Sequence, residues 1–499
     1  MVKNNQSNTV QVFWAAAGNF ASFGFAMISS MILSRFLLKE DYGTYRQVIY
    51  IYSTLLMVFT LGLPKAFSYF LPRVELGEAK DITQKINSVF FVIGLVFSLL
   101  LFLFSSQIAS ILKNDSLSFA LKIFSPVPLF MLPTMGLESI LATYKKTQIL
   151  AIYTIITRII MLLCVALPVV IFKGDYISAT IGFVVSSFFT LIIGLYLKNI
   201  PFKTVKKIKT NVSYRHIFKY SLPLMHASLW GILISSADQF FISRFFGTEI
   251  FAEFSNGSLE LPFVGMIIGA SSTVLMPLFS RKIYENVNPK QEILPIWRSA
   301  FEKTAKIIYP LVIFFWFFAD IVMVILYGNS YEASSVYFRI KLIVNFFTLI
   351  TFAPLILAIG AVKFYKNVHM YGAIILIALE YISIQLFHSA EIITVISVIC
   401  QIGRILVMLS FVARFFELSL IDLFPIKLLI NILFPSIIIL FTIRYIYTYF
   451  SINNFIQIIV GFILYILIYG TWAYFRKIDY LPIIKPIILI FIGKNKTIN

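Results

Sequence analysis

The sequence predicts an all-α polytopic membrane protein of about fourteen transmembrane helices, two six-helix bundles followed by two further helices. Three observations predict it. First, 60% of the 499 residues are hydrophobic and only 13% are charged, against roughly 25% charged in a soluble domain. Second, apolar runs long enough to cross a bilayer, roughly 20 residues each, recur along the whole chain. Third, the basic segment 198–219 divides these runs. It holds Lys198, Lys203, Lys206, Lys207, Lys209, Arg215 and Lys219 and no acidic residue, the pattern of a cytoplasmic loop between membrane helices.

The first span, near residues 10–33, carries Ala15 to Gly18, Ala21 and Gly24, small residues that permit close helix approach. No small-residue cleavage signal follows the N-terminus, so this span reads as uncleaved. A charged link with Arg35, Lys39, Glu40, Asp41 and Arg46 follows. The second span, 45–71, contains Pro64, which removes a helix hydrogen bond and should bend or break it. A mixed-charge loop at 72–85 leads to the third span, 86–112. The fourth, 119–142, is interrupted by Pro126, Pro128 and Pro133. The fifth, 149–172, carries Arg158 in its apolar body, and the sixth is 177–197. Loops after even-numbered spans hold Lys80 and Lys85, then Lys145 and Lys146, then the 198–219 block. That bias places the N-terminus and these loops in the cytoplasm.

The seventh span, 220–244, ends in Ser243-Arg244-Phe245 as the first ends in Ser34-Arg35-Phe36. Leu261-Pro262 in the eighth span, 259–279, answers Leu63-Pro64 in the second. SSQIASILKNDSLSFALKIF has its counterpart in ADIVMVILYGNSYEASSVYF, residues 319–338. Three ordered matches argue for duplication of a six-span unit. The ninth span begins within the segment 280–306 and ends near Leu326. The tenth, eleventh and twelfth lie near 337–361, 370–386 and 392–411. Two more, 425–447 and 455–474, precede a tail with Arg476, Lys477, Lys485, Lys494 and Lys496, so the C-terminus also reads as cytoplasmic. The expected organisation is therefore an N-terminal bundle at 1–198, a basic linker at 199–219, a second bundle at 220–416, and two helices with a basic tail at 417–499.

Composition also excludes. The net charge of +19 sits between apolar spans, which suits orientation and anionic lipid heads rather than nucleic acid. Cys164 and Cys400 lie inside apolar spans without CxxC spacing and read as small buried hydrophobes. There is no phosphate-binding GxxxxGK[ST] motif, no metal cluster and no soluble catalytic domain, so no cofactor is expected and the chain reads as a non-enzyme. An integral membrane glycan-processing enzyme is the enzymatic rival, and it would want a larger loop than any here.

A charge inside a span costs about 2.5–3.5 kcal/mol on insertion scales, so it faces a cavity or a partner. In one reading Arg35, Lys65, Arg158, Arg244 and Arg404 line a cationic cavity for phosphate, which the planar guanidinium pairs with bidentately. In another, Asp238 and Glu260 bind a coupling H⁺ or Na⁺. In the plainest, Arg35 and Arg244 snorkel to head groups and Asp238 pairs with Arg244 or caps backbone. Arg158 lies deepest and snorkels least readily.

The pattern ILSRFLLKEDYGTYRQ, then LGLPKAFSYFLPR, then YSLPLMHASLWGILISSADQFFISRFFG resembles the polysaccharide flippases of the multidrug/oligosaccharidyl-lipid/polysaccharide exporter superfamily, the O-antigen and capsule repeat-unit flippases. The resemblance covers nearly the whole chain. It implies two six-helix bundles around a central cavity with alternating access, in the bacterial inner (plasma) membrane. The implied substrate is an undecaprenyl-pyrophosphate-linked oligosaccharide moved from inner to outer leaflet. Proton or sodium coupling, and a polysaccharide polymerase and assembly proteins as partners, go with it. On the resemblance, Arg35 and Arg244 match the ends of the first and seventh spans and Asp238 an acidic position before the SRF-like element. A multidrug or other polymer exporter of the same superfamily would look similar.

Overall fold

The computed structural model describes residues 8–349, 352–450 and 453–480. Every regular element among them is helical. Ten helices are long and apolar enough to cross a bilayer, and four bent pairs bring the number to as many as fourteen, as the apolar runs predict.

The first bundle opens with α1 (Asn8–Phe36), α2 (Lys39–Phe59) and α3 (Leu63–Phe70). The charged link expected before the second span is helix except for Leu37 and Leu38, because Glu40 and Asp41 occupy the first turn of α2, where the helix dipole favours acids. Leu61 and Gly62 then take left-handed backbones, with φ of 48° and 69°, Pro64 opens α3, and the pair bends by 43°. Next come α4 (Leu76–Leu103) and α5 (Ser105–Leu112). The expected mixed-charge loop at 72–85 is mostly the start of α4. The prolines cut the fourth span into α6 (Ser116–Phe124), α7 (Val127–Met131) and α8 (Leu137–Thr143). Uninterrupted α9 (Thr147–Ile171) and α10 (Tyr176–Asn199) complete the bundle. Here α1 packs on α9 and α9 on α10. Gly182 lets α10 close on α9, since a Cβ there would stand 2.0 Å from the Cys164 carbonyl oxygen.

The later helices are α11 (Tyr214–Gly257), α12 (Pro262–Tyr284), α13 (Leu294–Phe317), α14 (Ala319–Tyr327), α15 (Ser334–Leu342), α16 (Asn345–Thr348), α17 (Phe352–Ala358), α18 (Val362–Phe387), α19 (Ala390–Phe415), α20 (Ile426–Tyr447) and α21 (Asn454–Phe475). The segment that follows the seventh span is helical on both sides of one joint, Gly247 (φ 83°, ψ 178°). One of the three sequence matches is also a match of backbone at a helix break. Phe104 and Phe318 break their helices with nearly the same angles, −96°/10° and −102°/16°. A short helix follows each, α5 and α14, ending at a positive φ at Lys113 and Gly328.

The chain divides into two compact units, Met1–Ser255 with Leu376–Ile393, and Asn256–Ile375 with Thr394–Asn499. In the first unit α2 grips α11. Gln47 donates to Ser243 Oγ at 2.9 Å, Tyr50 to the Ser236 carbonyl at 3.2 Å, and Arg46 Nε to Ser255 Oγ at 2.8 Å. Lys39 pairs with Glu253. Asn114 donates to Gln47 Oε1 at 2.6 Å and to Thr44 at 3.0 Å. Gly43 is required at this contact, because a Cβ would fall 2.1 Å from the Thr248 carbonyl oxygen.

The basic segment is not a free loop over its first part. Lys80 donates to the Phe202 and Val205 carbonyls, and Ile208 N–H to the Gly77 carbonyl at 3.1 Å. Asp81, almost fully buried, ion-pairs with Lys85 at 2.8 Å and Lys207 at 3.0 Å and accepts the Thr210 N–H at 3.1 Å. Its last part opens α11. In the second unit, α20 packs on α13 and α21. There Tyr465 donates to Ser436 at 2.9 Å, and Arg444 and Arg339 share Asp320 at 2.6 and 3.1 Å.

Candidate functional site

Arg158 lies midway along α9, half-buried inside the first unit. Its Nε donates to Ser22 Oγ of α1 at 2.8 Å, and its Nη1 lies 3.5 Å from Met161 Sδ. A guanidinium has five N–H donors, and a thioether is a weak acceptor. No carboxylate among the described residues pairs with Arg158. A cation in a membrane helix thus keeps donors to spare.

Those donors stand at the wall of two cavities. One, about 250 Å³, lies among α1, α2, α9 and α10 and is lined by Arg46, Tyr42, Tyr45, Tyr52 and Ser53 as well as Arg158. Ser30 and the Tyr42 hydroxyl bond across it at 2.5 Å. Two arginines and three phenols stand in its otherwise largely apolar wall. The other cavity, about 280 Å³, is lined by Arg158, Tyr153, Thr154, Thr157, Ser187 and Thr190, with the Glu138 carboxylate also in its wall. Its threonines donate their protons to helix carbonyls one turn back, Thr154 to Leu150, Thr157 to Tyr153 and Thr190 to Ser186. Their oxygens therefore remain as acceptors, the groups that sugar hydroxyls need.

The remaining sequence candidates lie elsewhere. Lys65 is exposed on α3 and lines a separate cavity of about 380 Å³ with Thr60, Met225 and Ser228. Arg35 is exposed in the last turn of α1, where the helix dipole favours a cation. Arg244 is half-buried and donates to the Ser110 carbonyl at 3.3 Å. Arg35 and Arg244 line none of these three cavities. Arg404 belongs to the second unit, where Gly372 of α18 leaves room for its Cδ and its buried Nε has no hydrogen-bond partner. Asp238 is 4% exposed on α11, and its Oδ1 accepts the Gln239 N–H at 2.9 Å. Glu260 is not in a span. It is exposed in the short link before α12, because Pro262 sets the helix start two residues later.

Three residues escaped the sequence reading. Arg46 was placed in the charged link, yet it shares a cavity with Arg158. Glu380, fully buried on α18, is with Asp238 an electrostatic neighbour of the Tyr50 hydroxyl; a carboxylate inside an apolar run was the available signal. Lys198, read as the first cation of the basic segment, is fully buried. Its Nζ donates to Asn87 Oδ1, the Pro133 carbonyl and the Met135 carbonyl at 2.9, 2.7 and 2.5 Å. It also stands 5.0 and 5.5 Å from the Phe67 and Phe90 rings.

A family model described as "Polysaccharide biosynthesis protein" matches residues 9–282. Among solved structures, the fold is similar to the lipid II flippase MurJ in an inward closed conformation, with a TM-score of 0.73 at 18% identity over 94% of this chain and 99% of that one. An inward-facing multidrug resistance MATE family transporter of the MOP superfamily aligns with a TM-score of 0.63 at 11% identity, over 80% of this chain and 95% of that one. The Vibrio cholerae MATE transporter VcmN gives 0.57 at 12% identity, over 83% and 97%. No curated protein matches the sequence.

Proposed function

The chain belongs to the polysaccharide biosynthesis protein family, and from that membership we propose that it moves a lipid-linked oligosaccharide across the bilayer. It is a multi-pass protein of the inner membrane. The substrate of this reading is an undecaprenyl-pyrophosphate-linked oligosaccharide, passed from inner to outer leaflet by alternating access for surface polysaccharide assembly. One observation carries it: among the described residues no carboxylate pairs with Arg158, which stands between an arginine- and phenol-lined cavity and a largely hydroxyl-lined one.

The chemistry follows from the two walls. A sugar headgroup cannot cross hydrocarbon unaided, but its polyprenyl tail can stay in the bilayer. Arg158 and Arg46 offer N–H donors to pyrophosphate oxygens, a charge-assisted contact about twice as strong as a neutral one. The threonine and serine oxygens beside them accept sugar hydroxyl protons. Lys65, Arg35, Arg244 and Arg404 take part in this reading as cations met on the way in or out. Asp238, with Glu380 beside Tyr50, is the carboxylate through which a coupling proton or sodium ion acts. Glu260 is a weaker candidate, since it faces solvent.

A multidrug exporter on the same fold would bind organic cations, which two arginines in one cavity repel. An enzyme would need a nucleophile or acid–base pair at the cavity wall. The test is reconstitution of the whole chain into vesicles with labelled lipid-linked oligosaccharide in one leaflet. Transfer to the other leaflet that Arg158→Gln lowers about tenfold supports the proposal. Equal transfer by wild type and empty vesicles, or transport of organic cations alone, defeats it.

A further inference from the structure

At the start of α4 a further polar cavity opens, of about 480 Å³, bounded by α10 and the docked basic segment. Its wall includes Asp81, Gln84, Lys85, Asn87, Lys207 and Tyr214. Both oxygens of Asp81 are taken, by Lys85, Lys207 and the Thr210 N–H. Lys85 is turned to Asp81 and the Val212 carbonyl. Lys207 makes one such bond and its side chain is 48% exposed, so its remaining ammonium donors face the opening. Asn87 gives its Oδ1 to the buried Lys198, which leaves its amide N–H pair as the end it can offer. The acid of this wall is consumed, Lys85 keeps one donor beyond its two bonds, and Lys207 and the Asn87 amide offer theirs, beside the neutral side chains of Gln84, Ser88 and Asn199. Such a wall selects an anion.

The surroundings select a lipid. Phe91 lines the same cavity, and Val92, Leu95 and Leu99 continue from it along α4, 62%, 49% and 50% exposed. Positions three and four apart share a helix face, so an exposed apolar track begins where the donor-rich cavity ends. We propose that this cavity binds the headgroup phosphate of an anionic phospholipid, whose acyl chains lie along Phe91, Val92 and Leu95. A bound headgroup bridges Lys207 to α4 and so fastens the docked segment. This site is separate from the one around Arg158 and does not rest on the transport reading.

The test uses the full chain, purified and delipidated in detergent, with phosphatidylglycerol, phosphatidylcholine and inorganic phosphate as probes. Native mass spectrometry counts retained lipid and thermal unfolding reports its effect. Phosphatidylglycerol is retained over phosphatidylcholine and raises the unfolding temperature. Lys207→Gln lowers that preference about fivefold, the effect of one lysine at an anionic surface, while Lys209→Gln, its exposed neighbour, leaves it unchanged. Gln84→Glu breaks none of the bonds described and lowers the preference equally, so the proposal stays testable should Lys207→Gln fail to fold. Equal retention of the two lipids, or a preference untouched by both Lys207→Gln and Gln84→Glu, overturns it. Displacement of phosphatidylglycerol by millimolar inorganic phosphate overturns the lipid assignment in favour of a soluble phosphate.

Discussion

Lys198 and Arg158 are both cations within membrane helices of the same unit, and their surroundings differ in kind. Lys198 is sealed, with three oxygen acceptors for its three donors and two aromatic faces around it. Arg158 has one hydroxyl, one thioether and two cavities. The first arrangement leaves nothing for a ligand. The carbonyls it uses belong to Pro133 and Met135, in the proline-broken fourth span where backbone acceptors lose their helical partners. Lys198 repairs that break. Arg158 repairs nothing, and its unmet donors are the reason to assign it a ligand. Among buried cations, completeness of the partner set separates a structural role from a binding one.

The contrast can be broken in four ways. Lys198→Met leaves one buried and two part-buried acceptors without their donor and should cost about 3 kcal/mol, the low end for removing one partner of a buried charged contact. It should be read in thermal unfolding and in the yield of folded protein. An unchanged unfolding temperature would end the structural assignment. Arg158→Gln should lower leaflet-to-leaflet transfer about tenfold, the loss of a charge-assisted hydrogen bond, with little change in unfolding. A fall in stability instead of transfer would make Arg158 a second Lys198. Asn87→Leu removes one of the three lysine acceptors and should destabilise by about 1 kcal/mol, again by thermal unfolding. Arg35→Gln, at an exposed helix end, should shift unfolding by no more than about 2 °C. A larger shift would mean that Arg35 itself fastens the end of α1.

Much of the fold was legible because hydropathy reports the bilayer. The fourteen apolar runs, the breaks at Pro64 and at Pro126, Pro128 and Pro133, and the duplicated helix–turn–helix around Phe104 and Phe318 were all visible as sequence. Helix ends were not. α2, α4 and α18 begin at Lys39, Leu76 and Val362, well before their apolar runs, because a helix continues past the hydrocarbon into charged surroundings. The same limit governed the site. Arg158 stood out as a charge in an apolar run. Arg46 did not, since its neighbours read as a link, and it reaches the cavity only because that link is helical. Lys198 lies at the border of an apolar run and a basic one, and nothing local says which lysine turns inward. That depends on Asn87 and Pro133, far away in the chain.

Gly247 interrupts α11 at a single residue, and the contacts from α2 fall on both sides of it. Tyr50 and Gln47 hold Ser236 and Ser243 ahead of the interruption, while Lys39 and Arg46 hold Glu253 and Ser255 beyond it. A splint fastened above and below a knuckle keeps it from turning. The flank beyond Gly247 cannot pivot until the lysine and arginine bonds have opened, whereas the flank before it can stay clasped throughout. Any turn at Gly247 therefore needs the lysine and arginine bonds open and leaves the two neutral ones in place.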